Sequence, residues 1–165
     1  MMHPTPDPKK AGQESAWDFP RPAIAELVTS HLKIIYRGVI IAETRHGVRT
    51  LETSHPPSYY FPREDVEMNL LSVSKNSSVC KWKGNATYFD ISLQSEVRRD
   101  VAWSYENPTR PFQMLRNHIA FYSAPFDDCF VDEEKVMPQP GGFYGGWITS
   151  KLAGPFKGIT GSRFW

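Results

Sequence analysis

From Leu32 onward, apolar and polar positions alternate with a period of about two, interrupted by short turn signals. That pattern predicts strands rather than helices. Leu32-Lys33-Ile34-Ile35-Tyr36 and Val39-Ile40-Ile41-Ala42-Glu43-Thr44 are β-branched runs separated by Arg37-Gly38, the signature of a hairpin. His46-Gly47 turns the chain into a strand over Val48 to Thr53, and Ser58 to Phe61 forms another, stopped by Pro62. Pro62 followed by Glu64 and Asp65 suits the start of a helical turn reaching Val66. Ser72 to Ser78 reads as a polar loop, and Val79 to Lys83 and Ala86 to Leu93 as strands broken at Gly84. Phe89, Ile91 and Leu93 then share a core face, while Tyr88, Asp90 and Ser92 take the face free to line a cleft. Val97 to Tyr105 keeps the same period through Val101, Trp103 and Tyr105. Asn107-Pro108 to His118 departs from it, placing Phe112, Leu115 and Ile119 on one side of a moderate helix that starts near Pro111. Ile119 to Tyr122 and Cys129 to Val131 are short strands, followed by a tail rich in glycine and aromatic residues. The expected fold is mainly β, two packed antiparallel sheets with one moderate helix and short helical turns.

Composition narrows the setting. A chain of 165 residues is enough for one domain with a sizeable core. Met1 to Pro22 carries Pro4, Pro6, Pro8, Pro20 and Pro22 with Lys9-Lys10, which predicts a flexible arm over 1–22 ahead of a single domain over 23–165. Trp17 and Phe19 are the residues able to clip the end of that arm onto the domain. A formal net charge of +1 leaves no large basic field to recruit nucleic acid or an anionic membrane. No apolar run approaches membrane-spanning length. Cys80 and Cys129 are the two cysteines, too few for a four-cysteine zinc site. With no signal-peptide pattern read ahead of the domain, reduced thiols in a cytoplasmic compartment are expected. The histidines lack metal-site spacing, so neither a metal nor another cofactor is expected.

The chemistry-bearing residues concentrate between Arg49 and Tyr88. Cys80 beside Lys81 and Lys83 is a candidate nucleophile, although strand alternation would turn both lysines away from it; a small core residue is the alternative. Glu52, Asp65 and Asp90 are candidate general bases or polar anchors, against ordinary surface or helix-start acids. Tyr59, Tyr60, Trp82, Trp103 and Tyr105 are candidates for an aromatic wall that holds a ring or a cation, against simple sheet packing, and Tyr88 is a further candidate to line the pocket. Lys83 and Lys157 sit beside glycines and can hold a phosphate or carboxylate, against solvated surface lysines. The expected site is a small-molecule pocket between the sheets. It serves either ligand binding or an enzymatic activity that uses Cys80 or an acid.

Several segments carry a family resemblance. They are Leu51-Glu52-Thr53-Ser54-His55-Pro56-Pro57 with Tyr59-Tyr60, Glu64-Asp65-Val66, Cys80-x-Trp82-Lys83-Gly84 and Ala102-Trp103-Ser104-Tyr105. Ala120-Phe121-Tyr122, Gly141 to Thr149 and Gly154-Pro155-Phe156-Lys157-Gly158 continue the series. Together, from about Ile34 to Gly158, they resemble the domain of unknown function 427 family. The resemblance implies a β-tent-like fold, in which two antiparallel sheets lean together over a ligand cleft. It also implies the nucleotidyltransferase-like activity with which the family is labelled. The chain has no paired acids in a D-x-D arrangement and no P-loop to support that activity. Relatives of the β-tent group include zinc-bearing sulfoxide reductases, but their zinc cysteines are missing here. Lys81 and the stretch Ile159 to Trp165 depart from the family pattern.

Overall fold

The computed structural model describes residues 3–165. The strands are β1 (Glu14–Ser15), β2 (Ile24–Val28), β3 (Leu32–Tyr36), β4 (Val39–Thr44) and β5 (Gly47–Leu51). They continue with β6 (Ser58–Pro62), β7 (Leu71–Cys80), β8 (Gly84–Leu93), β9 (Glu96–Ser104) and β10 (His118–Phe121). The last are β11 (Asp128–Val131), β12 (Glu134–Lys135), β13 (Met137–Pro138), β14 (Trp147–Ile148) and β15 (Leu152–Ala153). Seven of them form one antiparallel sheet in the order β2-β5-β6-β10-β9-β8-β7, and four form a second in the order β12-β11-β3-β4. The fold is therefore mainly β, with two packed antiparallel sheets.

Period-two alternation sorts the large sheet into two faces. Tyr59, Phe61, Phe89, Ile91, Val101, Ile119 and Phe121 point towards the small sheet, where Leu32, Ile34, Tyr36 and Ile41 meet them. Trp147 closes this core. It is fully buried, donates from Nε1 to the Phe121 carbonyl at 2.9 Å and packs on Tyr59 and Phe61. The opposite face carries a second cluster built from Val48, Tyr60, Trp103, Tyr105 and Ala120. Register pins this face: Val48 pairs with Tyr60, Tyr60 with Ala120, Ala120 with Trp103, and Trp103 with Tyr88.

The structure departs from the pattern-based expectations in several places. Ile24–Val28, to which the alternation pattern assigned no element, is the edge strand β2, paired along its length with β5. The stretch expected to be a loop over Ser72 to Ser78 belongs to β7, the opposite edge. An edge strand with both faces largely wet has no apolar alternation to display, and β7 also carries a register shift between Val73 and Ser77. The helical segment forms where proline predicted it, over Arg110–Leu115, but as 3-10 turns kinked at Phe112. Its apolar residues Phe112 and Leu115 are buried in the second cluster, while His118 and Ile119 already belong to β10.

The amino-terminal segment also differs from a flexible arm. Met1 and Met2 lie outside the described residues, but from Asp7 the chain is tied down: Asp7 donates its backbone N–H to the Gly154 carbonyl at 2.8 Å. β1 runs parallel to β15, and Ala16 and Phe19 bury beside Leu51 and Leu152. Arg49 clamps this segment, binding both Glu14 oxygens at 2.8 and 2.9 Å and Glu26 at 2.7 Å. Burial opposes the Arg49 charge, yet these two carboxylates overcome it and raise the guanidinium above its ordinary value. Proline richness therefore marks an extended, docked segment here, because extended backbone is what proline favours. Among the described residues no helix is long and apolar enough to cross a membrane.

Candidate functional site

A cavity of about 290 Å³ lies on the outer face of the seven-stranded sheet. No residue of the four-stranded sheet lines it, which corrects the expectation of a pocket between the sheets. The space between the sheets is filled by large apolar side chains, whereas the outer face is covered by loops and the 3-10 segment Arg110–Leu115. Tyr60, Tyr88, Trp103 and Tyr105 form the floor, joined by Tyr122, Ser78 and Thr50. Trp103 Nε1 donates to the Tyr60 hydroxyl at 3.3 Å, and the Tyr88 hydroxyl shares a hydrogen bond of 2.8 Å with Ser78. Burial raises the phenols of Tyr60 and Tyr105 well above the usual tyrosine range and pushes Tyr122 up to about 12. All three are neutral at ordinary pH and act as hydrogen-bonding groups.

One wall comes from the β7–β8 turn. β7 ends at Cys80, so Lys81, Trp82 and Lys83 do not continue its alternation. Lys83 instead folds back, and its ammonium donates to Cys80 Sγ at 3.5 Å while lying 5.9 Å from the centre of the Tyr105 ring. The expectation that both lysines face away from Cys80 is thus corrected for Lys83. The turn is held from outside: Thr109 donates its N–H to the Lys83 carbonyl at 3.0 Å and its hydroxyl to the Trp82 carbonyl at 2.6 Å. Trp82 itself does not line the cavity; it packs half-buried on the second cluster under the Lys81 ammonium.

A second wall follows β5. After Leu51 the chain turns through Glu52-Thr53-Ser54-His55, with the His55 N–H bonded to the Glu52 carbonyl at 3.0 Å. The amino-terminal segment braces this turn. Thr53 N–H donates to the Pro20 carbonyl, Ser54 N–H to that of Ala16, and the Thr53 hydroxyl to that of Phe19. The result places His55 Nε2 3.6 Å from Glu52 Oε2, with an Arg21 nitrogen 3.5 Å from the same oxygen.

The remaining wall is the carboxy-terminal segment, where buried Gln139 organises the contacts. Its Oε1 accepts the Gly146 N–H at 3.1 Å, and its Nε2 donates to the Lys157 carbonyl at 2.9 Å. The first partner only donates and the second only accepts, so the orientation of the amide is determined. The same Nε2 lies 3.0 Å from His55 Nδ1, which must then accept. His55 is therefore neutral, with its proton on Nε2 beside Glu52. Burial, helped by the neighbouring Lys157, Arg21 and Lys83 charges against the pull of Glu52, lowers it to about 4. Lys157 also lines the cavity; burial and then Arg21 hold it below the ordinary lysine value.

Of the residues singled out from the sequence, Glu52, Tyr60, Cys80, Lys83, Tyr88, Trp103, Tyr105 and Lys157 meet around this one cavity. Asp65 does not. It sits in the 3-10 turn Arg63–Asp65, where its Oδ2 accepts from Thr44 Oγ1 at 2.7 Å. Asp90 is equally remote: its buried carboxylate accepts the Asp100 N–H at 2.8 Å and pairs with Arg99 at 3.0 Å across the β8–β9 bulge. His55, Gln139, Tyr122 and Tyr144 are lining residues that sequence reasoning passed over. His55 stood in plain view in the His-Pro-Pro segment, but Gln139 had no local signal, since its partners lie 84 and 18 residues away. Among the described residues no group of three His, Cys, Asp or Glu side chains is placed to hold a metal ion.

A family model described as a domain of unknown function (DUF427) matches residues 24–132. The match spans the strands and turns that carry Glu52, Tyr60, Cys80, Lys83, Trp103 and Tyr105, and stops short of Gln139 and Lys157. No curated protein matches the chain. More than half of the sequence falls within that model, and the chain belongs to the DUF427 family.

Proposed function

We propose that this domain binds a small organic anion with an aromatic ring in the cavity on the outer face of the large sheet. The observation that supports this reading is the composition of one continuous surface. A floor of Tyr60, Tyr88, Trp103 and Tyr105 is flanked by Lys83 from the β7–β8 turn and Lys157 from the carboxy-terminal segment. Stacked or edge-on contacts with such a floor favour a planar ring, and two ammonium groups against the single carboxylate of Glu52 favour a negative ligand. A volume of about 290 Å³ suits a molecule of roughly one ring and a short polar chain. Nucleotidyl transfer is the competing reading that comes with the family resemblance. It needs carboxylates that hold divalent cations, and Glu52 is the one carboxylate lining this cavity.

The test is a thermal-shift and calorimetric screen of aromatic carboxylates, aromatic phosphates and nucleotides. A ligand at a hundred times its dissociation constant stabilises the fold by about 2.7 kcal/mol, which is readily measured. Lys83→Ala and Lys157→Ala should each weaken an anionic hit about tenfold or more. Trp103→Ala should weaken it as well, through loss of the floor. Transfer of a labelled nucleotide in the presence of a divalent cation would replace this reading with the competing one. A screen without saturable anionic hits would end it.

A further inference from the structure

The Glu52–His55 pair points to chemistry beyond holding a ligand, and that chemistry rests on the anion binding proposed for the same cavity. Both side chains line the cavity, and their facing atoms, Glu52 Oε2 and His55 Nε2, lie 3.6 Å apart. They come with fixed and opposite proton-transfer characters. His55 Nδ1 accepts from Gln139, whose amide is locked between the Gly146 N–H and the Lys157 carbonyl, so Nε2 keeps its hydrogen. His55 is thereby a neutral donor and a poor base. Glu52 is an acceptor whose neighbours, Arg21 at 3.5 Å and His55 at 3.6 Å, sit at the edge of hydrogen-bonding reach. Both neighbours sit on Oε2, which leaves Oε1 open to a reacting proton. A carboxylate base beside a neutral imidazole donor is the arrangement that enolisation needs. One group removes a proton from carbon while the other hydrogen-bonds the carbonyl oxygen as negative charge develops there.

We propose that the domain catalyses keto–enol interconversion of an aromatic 2-oxo acid, with Glu52 as the base and His55 as the hydrogen-bond donor to the 2-oxo oxygen. Glu52 takes one proton from the carbon next to the carbonyl. The C–H electron pair becomes the new carbon–carbon double bond, and the carbonyl π pair moves onto oxygen, held by His55 Nε2–H. That oxygen then receives the proton from the Glu52 carboxyl, giving the enol and regenerating the carboxylate. Atoms and charge balance without any oxidant, reductant or second substrate. The ligand class is set by the surroundings of the pair: the aromatic floor takes the ring and the Lys83 and Lys157 ammonium groups take the carboxylate. Gln139 acts as a positioning residue, through the tautomer it imposes on His55.

Phenylpyruvate is the probe, and deuteration of its methylene group in heavy water, followed by proton NMR, is the readout. The full chain should accelerate exchange saturably over the buffer rate. Glu52→Gln, which keeps the size and the hydrogen-bonding edge of the side chain, should lower the enzymatic rate about a hundredfold or more while phenylpyruvate still shifts the melting temperature. His55→Gln should also slow exchange. Gln139→Ala frees His55 Nδ1, so nitrogen NMR should find the ring proton shared between Nδ1 and Nε2, and exchange should slow while phenylpyruvate still shifts the melting temperature. Binding of phenylpyruvate without accelerated exchange overturns the acid–base assignment and leaves the binding reading standing. Acceleration that survives Glu52→Gln overturns it too. Absence of saturable phenylpyruvate binding overturns the substrate class, and the anion screen then judges the binding reading by itself.

Discussion

At the scale of single residues, the decisive interaction is the one between Gln139 and His55. An isolated histidine between a proline pair and an acid is ambiguous as donor, acceptor or cation. One buried amide with determined orientation removes the ambiguity. Nitrogen NMR should therefore find His55 protonated on Nε2 and bare on Nδ1 from neutral pH down to about pH 5, and a cationic ring at neutral pH would contradict the network. The burial of His55, more than any single contact, makes stability depend on pH. Histidine in the unfolded chain titrates near 6.5, whereas His55 in the folded chain is lowered to about 4. Between those values the unfolded state binds more protons, so stability falls as pH falls through the window. Denaturation of wild type and His55→Gln should show the wild-type advantage shrinking from about pH 7.5 to about pH 4.5. An advantage that stays constant with pH would refute this account. Cys80 takes a subordinate part, as acceptor for the Lys83 ammonium at one wall. The other cysteine, Cys129, is buried in the core between the sheets, which raises its thiol above the ordinary value and leaves it unreactive.

At the scale of elements, the cavity depends on turns whose shapes are imposed by contacts rather than by regular structure. The glycine-rich segment between β13 and β14 lies directly on the floor. A Cβ placed on Gly145 would come within 2.2 Å of Trp103, whose ring is buried and held by Tyr60 and Tyr122. Gly145→Ala should therefore displace the segment or tilt the ring into the cavity, cost about 1–3 kcal/mol and weaken ligand binding either way. A denaturant titration and a binding isotherm on this variant check both effects; unchanged affinity would mean that the segment does not shape the site. Gly158 meets a similar constraint from backbone, with φ of +120° and the Pro140 carbonyl 1.9 Å from where a Cβ would lie. These two close approaches require glycine at both positions of the tail.

At the scale of the whole molecule, the large sheet separates two jobs. Its inner face is consumed by the core that joins the sheets, and its outer face carries the cavity. The covering walls come from three distant parts of the chain: the turn after β5, the turn after β7 and the segment around Gln139 to Lys157. The amino-terminal segment supports the first of these. Phe19→Ala should therefore cost about 3 kcal/mol through the loss of a buried ring, and should also weaken ligand binding by loosening Glu52 and His55. Thermal denaturation and affinity measured on that variant test the link. A loss of stability with affinity intact would show that the segment supports the fold but not the site.

What the sequence alone determined was whatever rests on local periodicity and on residue type. Alternation identified most strands of both sheets and the core role of Phe89 and Ile91, and the clustered aromatic and cationic residues marked most of the side chains that form the cavity's floor. Alternation states that Tyr60 and Tyr59 point to opposite faces, but not which face meets the second sheet, so the cavity's side was decided only by packing. Asp65 looked like its fellow candidates because an acid is an acid in any sequence; its capture by Thr44 appears only in three dimensions. Trp82 and Lys83 are neighbours in a turn that Thr109 holds, 27 residues beyond Trp82, and that distant anchor decides which of them reaches the cavity. The proline-rich start of the chain announces extended backbone, but whether it docks depends on Arg49 and on the hollow beside Leu51 and Leu152. Gln139 shows the limit most clearly. The proton position of His55 is set by a residue 84 positions along the chain, through hydrogen bonds that exist only once both sheets and the closing segment have packed.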